Sequence, residues 1–378
     1  MLPLYLDYNA TAPLDPRVFE AMRPYFLEEV GNAGSRTHVY GQRAKEAVDQ
    51  ARQQVATVFG ARSDEILFTS GATESNNLVL LGLVRHGLAS DRKHVLATAI
   101  EHKSVLEPLD RLREAGFEVE LLPVTAGGYV EPSAVQERLR PDTLLVSVMH
   151  ANNETGVLQP VVEIAELLGD TKTFYHVDAA QTFGKEVETL RQLRCDFLSI
   201  SAHKIYGPKG MGALYARRMR AQRRPLTPLM YGGGQEMGWR PGTLPVPLVV
   251  GLGAAVALAD REHLERRRAA AAVKERLLHA LAAVEHTING DPLRTQPHVV
   301  NVSFPRVDSE ALMMAVREEL AISNGAACTS ASYSPSHVLK AMGLSDDLIS
   351  SAVRISWGPG VTDIPTEPLL TAVRSMRG

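Results

Sequence analysis

One lysine gathers around it the residues able to do chemistry. Lys204 lies in Ser199-Ile200-Ser201-Ala202-His203-Lys204-Ile205-Tyr206-Gly207-Pro208-Lys209-Gly210, where an apolar strand gives way to a Gly-Pro-rich turn. Burying an unpaired ammonium is costly, so stability alone rarely puts a lysine there. An amine nucleophile gains from the same surroundings, because desolvation lowers its pKa and favours Schiff-base formation. An exposed loop lysine also fits this spacing, and other segments must decide.

Four further segments end apolar runs with polar groups. In Thr69-Ser70-Gly71-Ala72-Thr73-Glu74-Ser75-Asn76-Asn77 a helix opens after a strand. Free amides at the helix start, the helix dipole and the Thr73 hydroxyl make a phosphate site, although Thr73 or Ser75 also reads as a simple cap. Asp178, in Phe174-Tyr175-His176-Val177-Asp178-Ala179-Ala180-Gln181, can hold a ring nitrogen protonated and so make the ring an electron sink. A turn aspartate is its plain alternative. Met149 to Gly156 brings amides to a third strand end, and Ala99 to Ser104 brings His102, able to stack on a flat ring, to a fourth. Together these are what a phosphorylated pyridine cofactor requires, and they fall at successive strand ends of one expected sheet.

Two residues bear on the choice of reaction. Cys328 sits in Ser323-Asn324-Gly325-Ala326-Ala327-Cys328-Thr329-Ser330-Ala331-Ser332, a run of small residues that predicts a mobile, accessible loop able to deliver a thiolate. A small buried cysteine is the competing reading. Arg354 lies in a period-two strand, with Ala352 and Ser356 on its face and Val353, Ile355 and Trp357 on the other. It can clamp a substrate carboxylate through two parallel hydrogen bonds, or form a structural ion pair. Cys195 precedes a strand and reads as structural.

The elements that must position these groups are short apolar runs at Ile66–Ser70, Val95–Ala99, Val119–Pro123, Leu144–Met149, Phe174–Val177, Phe197–Ser201 and Gly212–Tyr215. Helical patterns such as Ser75–His86 and Val105–Ala115 separate them, which predicts a mostly parallel sheet covered on both faces, with its chemistry at the carboxyl ends. Beyond Asp260 come a helix over Glu262–Glu285, strands at His298–Phe304 and Val353–Trp357, and a helix over Glu310–Leu320. The fold class is therefore α/β, with a large domain over 13–259 and a smaller α+β domain formed by 1–12 and 260–378. Leu244–Ala259, which holds Pro245 and Pro247, reads as a loop entering a buried helix.

The 378 residues carry 45% hydrophobic side chains and a net charge of −3, with no global attraction to nucleic acid or anionic membrane. The first ten residues lack a basic leader, so no secretory signal is expected, and no apolar run reaches a membrane span. Two cysteines cannot build a disulfide framework, which points to a reducing, cytoplasmic setting. The basic run Arg217 to Arg224 reads as a solvated loop or a docking patch.

These motifs resemble the class V aminotransferase-related pyridoxal-5′-phosphate (PLP) enzymes, and specifically the cysteine desulfurases of the NifS/IscS type. The resemblance spans essentially the whole chain. It runs from Tyr5-Leu6-Asp7-Tyr8-Asn9-Ala10-Thr11-Ala12-Pro13 and Gly31-Asn32, through the segments already quoted, to Arg240-Pro241-Gly242-Thr243, Ala327-Cys328-Thr329-Ser330 and Val353-Arg354-Ile355-Ser356. It implies PLP fold type I with a seven-stranded sheet, and removal of sulfur from L-cysteine to leave L-alanine and a persulfide on Cys328. Lys204 is then the imine-forming and proton-moving residue, Asp178 pairs with the pyridine nitrogen, and His102 stacks on the ring and takes part in proton transfer. Ala72, Thr73, Ser201 and His203 hold the phosphate, with Thr243 reaching it from a neighbouring subunit, so a homodimer is implied. Asn153 and Gln181 contact the ring hydroxyl, and Arg354 and Asn32 bind the substrate. A sulfur acceptor, such as an iron–sulfur scaffold protein, is the expected partner.

Within the same fold, a selenocysteine lyase, another PLP lyase and an aminotransferase remain alternatives, as does a silent scaffold from another class. The chain departs from scaffold-docking members at its end, Ser375-Met376-Arg377-Gly378, and carries Gln235 where other members carry histidine. The first departure leaves the identity of the acceptor open.

Overall fold

The structure, a computed structural model, describes residues 2–218, 225–325 and 335–378. All seven expected strands form, each within a residue of its expected ends. They make one sheet in the order Ile66–Thr69, Gly212–Ala216, Phe197–Ser201, Phe174–Asp178, Thr143–Met149, His94–Thr98 and Glu118–Leu122. Every neighbour pair is parallel except at Gly212–Ala216, which runs antiparallel to both strands beside it.

Alternation within the strands splits the core in two. Leu67, Val95, Leu145, Phe197 and Leu214 face one layer, under the helices Ala72–Gly82 and Lys103–Glu114. Phe68, Leu96, Val146, Val177 and Ile200 face the other, under the helices Val39–Phe59, Val161–Leu168 and Val246–Leu281. A strand buried on both faces reads as a continuous apolar run, and all seven residues of Thr143–Met149 are buried.

The smaller core gathers Leu6, Val273, Leu277, Val300, Val302, Val353, Ile355 and Trp357. Its antiparallel sheet pairs Val299–Ser303 with Ala352–Ser356 and with Thr287–Ile288. Leu4–Tyr5, from the start of the chain, pairs in parallel with Leu320–Ala321. That distant pairing ends the expected helix at Val316 rather than Leu320.

The region around Ala259 departs from expectation. Instead of a loop and a separate helix, Val246–Leu281 is one helix of 36 residues, about 54 Å long at 1.5 Å per residue. Pro245 is its cap and Pro247 lies in its first turn, where a missing N–H breaks no helical hydrogen bond. Val249, Leu252 and Val256 pack in the large core, and Val273, Leu277 and Leu281 in the small one. Among the described residues no helix is long and apolar enough to cross a membrane.

Gly212 fixes how closely the Thr69 strand end meets its antiparallel neighbour. A Cβ there would come within 2.4 Å of the Ile200 carbonyl oxygen and 2.5 Å of Gly71 Cα. Gly212→Ala is therefore expected to cost about 1–3 kcal/mol, as overpacking does. Urea unfolding of the two proteins measures it, and equal midpoints would contradict the contact.

Candidate active site

Five parallel strands end on one edge of the sheet, at Thr69, Thr98, Met149, Asp178 and Ser201, and the loops that follow them wall a cleft of about 500 Å³. Lys204, Asp178, His102, Ala72, Thr73, Asn153, Gln181, Ser201, His203 and Arg354 all line it. Thr243 and Asn32 do not. Thr243 is exposed elsewhere, and Asn32 lies on an exposed loop where its Oδ1 accepts from the Gly34 amide at 2.8 Å. Residues 326–334, and with them Cys328, lie outside the described residues.

Lys204 ends a short 3₁₀ turn, Ala202–Lys204, that follows the strand Phe197–Ser201. Its Nζ is part-buried and donates to the carbonyl oxygens of Asn9 at 2.5 Å and Ala10 at 2.6 Å. The amine is thus aimed into the cleft and held by neutral acceptors.

Opposite the amine, Asp178 is buried at its strand end. Its Oδ2 accepts from Asn76 Nδ2 at 2.8 Å and its Oδ1 from the Ala180 amide at 2.9 Å. Asn76 Nδ2 also reaches Ser104 Oγ at 2.8 Å. Ser104 in turn meets His102 Nδ1 with both its hydroxyl, at 2.8 Å, and its amide, at 3.1 Å. With Nδ1 accepting from that amide, the neutral imidazole carries its proton on Nε2. Burial lowers the His102 pKa and Lys204 adds to the lowering, while Asp178 opposes it.

Asn76, Ser104 and Asn9 were not singled out from the sequence. Asn76 left a signal, since it shares a helix face with the buried Val79 and Leu80. A polar side chain on such a face needs a buried partner.

The helix Ala72–Gly82 presents its first amides to the cleft, and its first backward bond runs from the Ser75 amide to the Gly71 carbonyl at 3.1 Å. The amides before it have no acceptor within the helix and form an anion site with the dipole. Ser201 and His203 face them, beside Lys209. His203 Nδ1 pairs with Thr11 Oγ1 at 3.1 Å, and burial, followed by the charges of Lys204, Lys209 and Lys185, drives its pKa down to about 4.

These residues fit PLP. Gln181 Oε1 and Asn9 Oδ1 are buried in the cleft wall without a partner among the described residues. Gln181 Nε2 is already used, donating to the Asn9 carbonyl at 2.9 Å, so Oε1 is left for a hydroxyl donor. The cleft brings together a buried carboxylate, free helix-start amides with Lys209 beside them, and an amine, the groups that a ring nitrogen, a phosphate and an aldehyde would call for.

Of the two roles its sequence allowed, Arg354 shows the ion pair, at the edge of the cleft. It is buried, with Nη2 on Asp7 Oδ1 at 2.6 Å and Nη1 on the Asn153 carbonyl at 2.9 Å, while Nε has no partner among the described residues. Its backbone pairs with Ser323, on the segment leading to Cys328. The chain on either side of residues 326–334 meets one buried carboxyl. Gly325, at φ +79°, packs against the side chain of Glu154, and Ser336 Oγ donates to Glu154 Oε2 at 2.5 Å. Cys195 is buried, and that burial pushes its thiol pKa up. In the basic run, Arg217 pairs with Asp196 at 2.5 Å and Arg218 with Asp64 at 2.8 Å, and residues 219–224 lie outside the described residues.

Glu101, beneath the cleft, is fully buried. Its Oε1 accepts from Thr98 Oγ1 and from the Met149 amide, and burial raises its pKa to about 8. A carboxyl raised in this way contributes its full stability below the unfolded value of 4.5 and loses it as pH climbs toward 8, at about 1.4 kcal/mol per unit. Glu101→Gln should flatten that alkaline loss in denaturation curves taken from pH 5 to 8. Parallel slopes in the two proteins would refute this.

The family described as "Aminotransferase class-V" matches residues 4–363. The cysteine desulfurase IscS of Anaeromyxobacter sp. (strain K) is 48% identical over 359 residues, covering 94% of this chain and 88% of its own. Among solved structures, a NifS-like protein gives a TM-score of 0.89 at 34% identity, covering 99% of this chain and 98% of its own. The structure described as SspA in complex with cysteine gives 0.82 at 38% identity, covering 94% and 99%. The expected fold, a PLP type I architecture around a mostly parallel seven-stranded sheet, is borne out. With sequence, topology and cleft in agreement over nearly its full length, the chain belongs to the class-V aminotransferase family.

Proposed function

We propose that this chain is a cysteine desulfurase that holds PLP on Lys204 and takes the sulfur of L-cysteine onto Cys328. The observation that carries the proposal is the Lys204 amine in one cleft with Asp178, Ser104 and His102, which Asn76 links from behind. Relatives named as cysteine desulfurases and a neighbour described with cysteine bound support the choice of substrate.

When bound, PLP supplies an electron sink for a substrate carbanion. Asp178, buried and fixed by two donors, holds the proton on the ring nitrogen. Ala72, Thr73, Ser201 and His203 take the phosphate, and Asn153 and Gln181 the ring hydroxyl. Arg354 binds the substrate carboxylate, sharing its guanidinium with Asp7. Lys204, freed from the Asn9 and Ala10 carbonyls, would move the proton at Cα. His102 Nε2 offers a further proton in the cleft. The Cys328 thiolate attacks the substrate sulfur. As the S–S bond forms the C–S bond breaks, and its electron pair stays with the carbon skeleton, which takes a proton at Cβ on the way to alanine.

The protein works as a cytoplasmic homodimer that passes its persulfide to an acceptor in iron–sulfur assembly or thiolation. Thr243 stands away from the cleft of its own chain, and exposed Leu27, Val30, Tyr40 and Tyr231 offer apolar surface, both in keeping with a second subunit. The test is product analysis. L-Cysteine should yield alanine and protein-bound sulfane sulfur in equal amounts. Turnover of selenocysteine alone, or a requirement for an oxo-acid, would move the assignment to a lyase or an aminotransferase.

A further inference from the structure

Behind the turn that carries Lys204, between the two cores, lies a second cavity of about 290 Å³. Ile205, Ala259, Val273 and Trp357 give it an apolar floor. Its polar wall is basic. Lys185 Nζ stands 3.2 Å from His298 Nε2, and His298 is only 8% exposed. Arg266, Arg267 and Arg276 also line the space, and each has a carboxylate close by, Glu262 at 2.8 Å, Glu186 at 2.6 Å and Asp363 at 3.5 Å.

Lys185 has no carboxylate within 4 Å among the described residues, and its one hydrogen-bond partner there is the imidazole, another base. Burial, with Lys185, Lys274 and Arg267 adding to it, drives the His298 pKa well down, so the imidazole is neutral and accepts. Lys185 is part-buried, and an ammonium set against a neutral imidazole above an apolar floor lacks a close counter-charge. Arg266 Nε, on the same wall, is buried without a hydrogen-bond partner among the described residues.

We propose that this cavity is a binding site for a small organic monocarboxylate, its carboxylate on Lys185 and its short apolar body on the Ile205–Val273–Trp357 floor. An amino acid is disfavoured, because Glu186, the carboxylate that lines the cavity, is already paired with Arg267 and leaves no free acceptor charge for a ligand ammonium. An inorganic anion leaves the apolar floor unused. Ile205 and Tyr206 line the cavity and follow Lys204 directly, so the occupant lies against the back of the catalytic turn.

The test is calorimetric titration of the full-length protein with butyrate, in two buffers of different ionisation heat. The groups facing Lys185 are His298, Glu186, Arg267 and, beyond the turn, Lys204. Burial and the Lys204 charge lower the Lys185 pKa to about 7, against the pull of Glu186. Butyrate binding at pH 8 should therefore take up a proton, and at pH 6 far less. Lys185→Met should weaken binding at least about tenfold, as loss of a charge-assisted bond does, and abolish the uptake. The KM for cysteine should stay unchanged by butyrate. Ala270→Leu, which narrows the cavity and leaves Lys185 in place, should weaken butyrate but not acetate, and it keeps the test open should Lys185→Met fail to fold. Sulfate or L-alanine binding as tightly as butyrate would overturn the proposal. So would the absence of butyrate binding, or binding that ignores both variants.

Discussion

Lys204→Ala is expected to leave a folded protein that makes no measurable alanine from cysteine. On the proposed roles, the change removes both the amine that would carry the cofactor and the base that would move the Cα proton. Loss of a general acid–base group alone costs about 10²- to 10⁴-fold, and loss of covalent attachment adds to it. The fold survives because the Asn9 carbonyl keeps its bond from Gln181, and Ala10 loses one neutral acceptor contact, worth about 1 kcal/mol. Alanine formation and the visible spectrum of added PLP read the two roles separately. A variant that still turns over at a few per cent of the wild-type rate would remove Lys204 from the centre of the chemistry.

Cys328→Ser separates the sulfur step from the carbon steps. A serine hydroxyl is a far poorer nucleophile than a thiolate and cannot take a sulfur atom into a persulfide. Alanine and sulfide release should fall by at least about 10³-fold, within what tethering a nucleophile supplies. PLP binding should persist, as should exchange of the cysteine Cα proton with deuterated solvent, because Lys204, Asp178 and Arg354 are untouched. Undiminished alanine formation would show that another route frees the sulfur. Loss of Cα exchange would instead give Cys328 a part in the earlier proton transfer.

What the sequence disclosed followed from how each residue is used. Six of the seven strands were legible because a strand buried on both faces is a nearly uninterrupted apolar run; the edge strand Glu118–Leu122 is mostly uncovered and showed itself only by the apolar Val119, Leu121 and Leu122. Lys204, Asp178 and His102 were legible because a parallel sheet puts all their loops on one edge. The helix Val246–Leu281 was obscured by Pro245 and Pro247, which punctuate a sequence wherever they fall but here sit at the helix start. Asn76 and Ser104 were missed because their work is done across the chain, between a helix and two strand ends. Arg354 offered a clamp or an ion pair, and no periodicity reveals that Asp7, almost 350 positions away, is the carboxylate beside it.

The cradle around the Lys204 amine sets an order on how the protein is made. Asn9 and Ala10 hold that amine, yet they are themselves held by residues translated near the end. Leu6 accepts from the Ser356 amide at 2.8 Å, Asp7 binds Arg354, and the Asn9 amide donates to Ser356 Oγ at 3.0 Å. Contacts of such long sequence separation form late. A ribosome that has released only the large lobe presents Lys204 without its carbonyl acceptors in place, and the complete pocket arises only after residue 356 has emerged. Completion of the amine's cradle therefore waits on the strand Ala352–Ser356, however much of the large sheet has already formed.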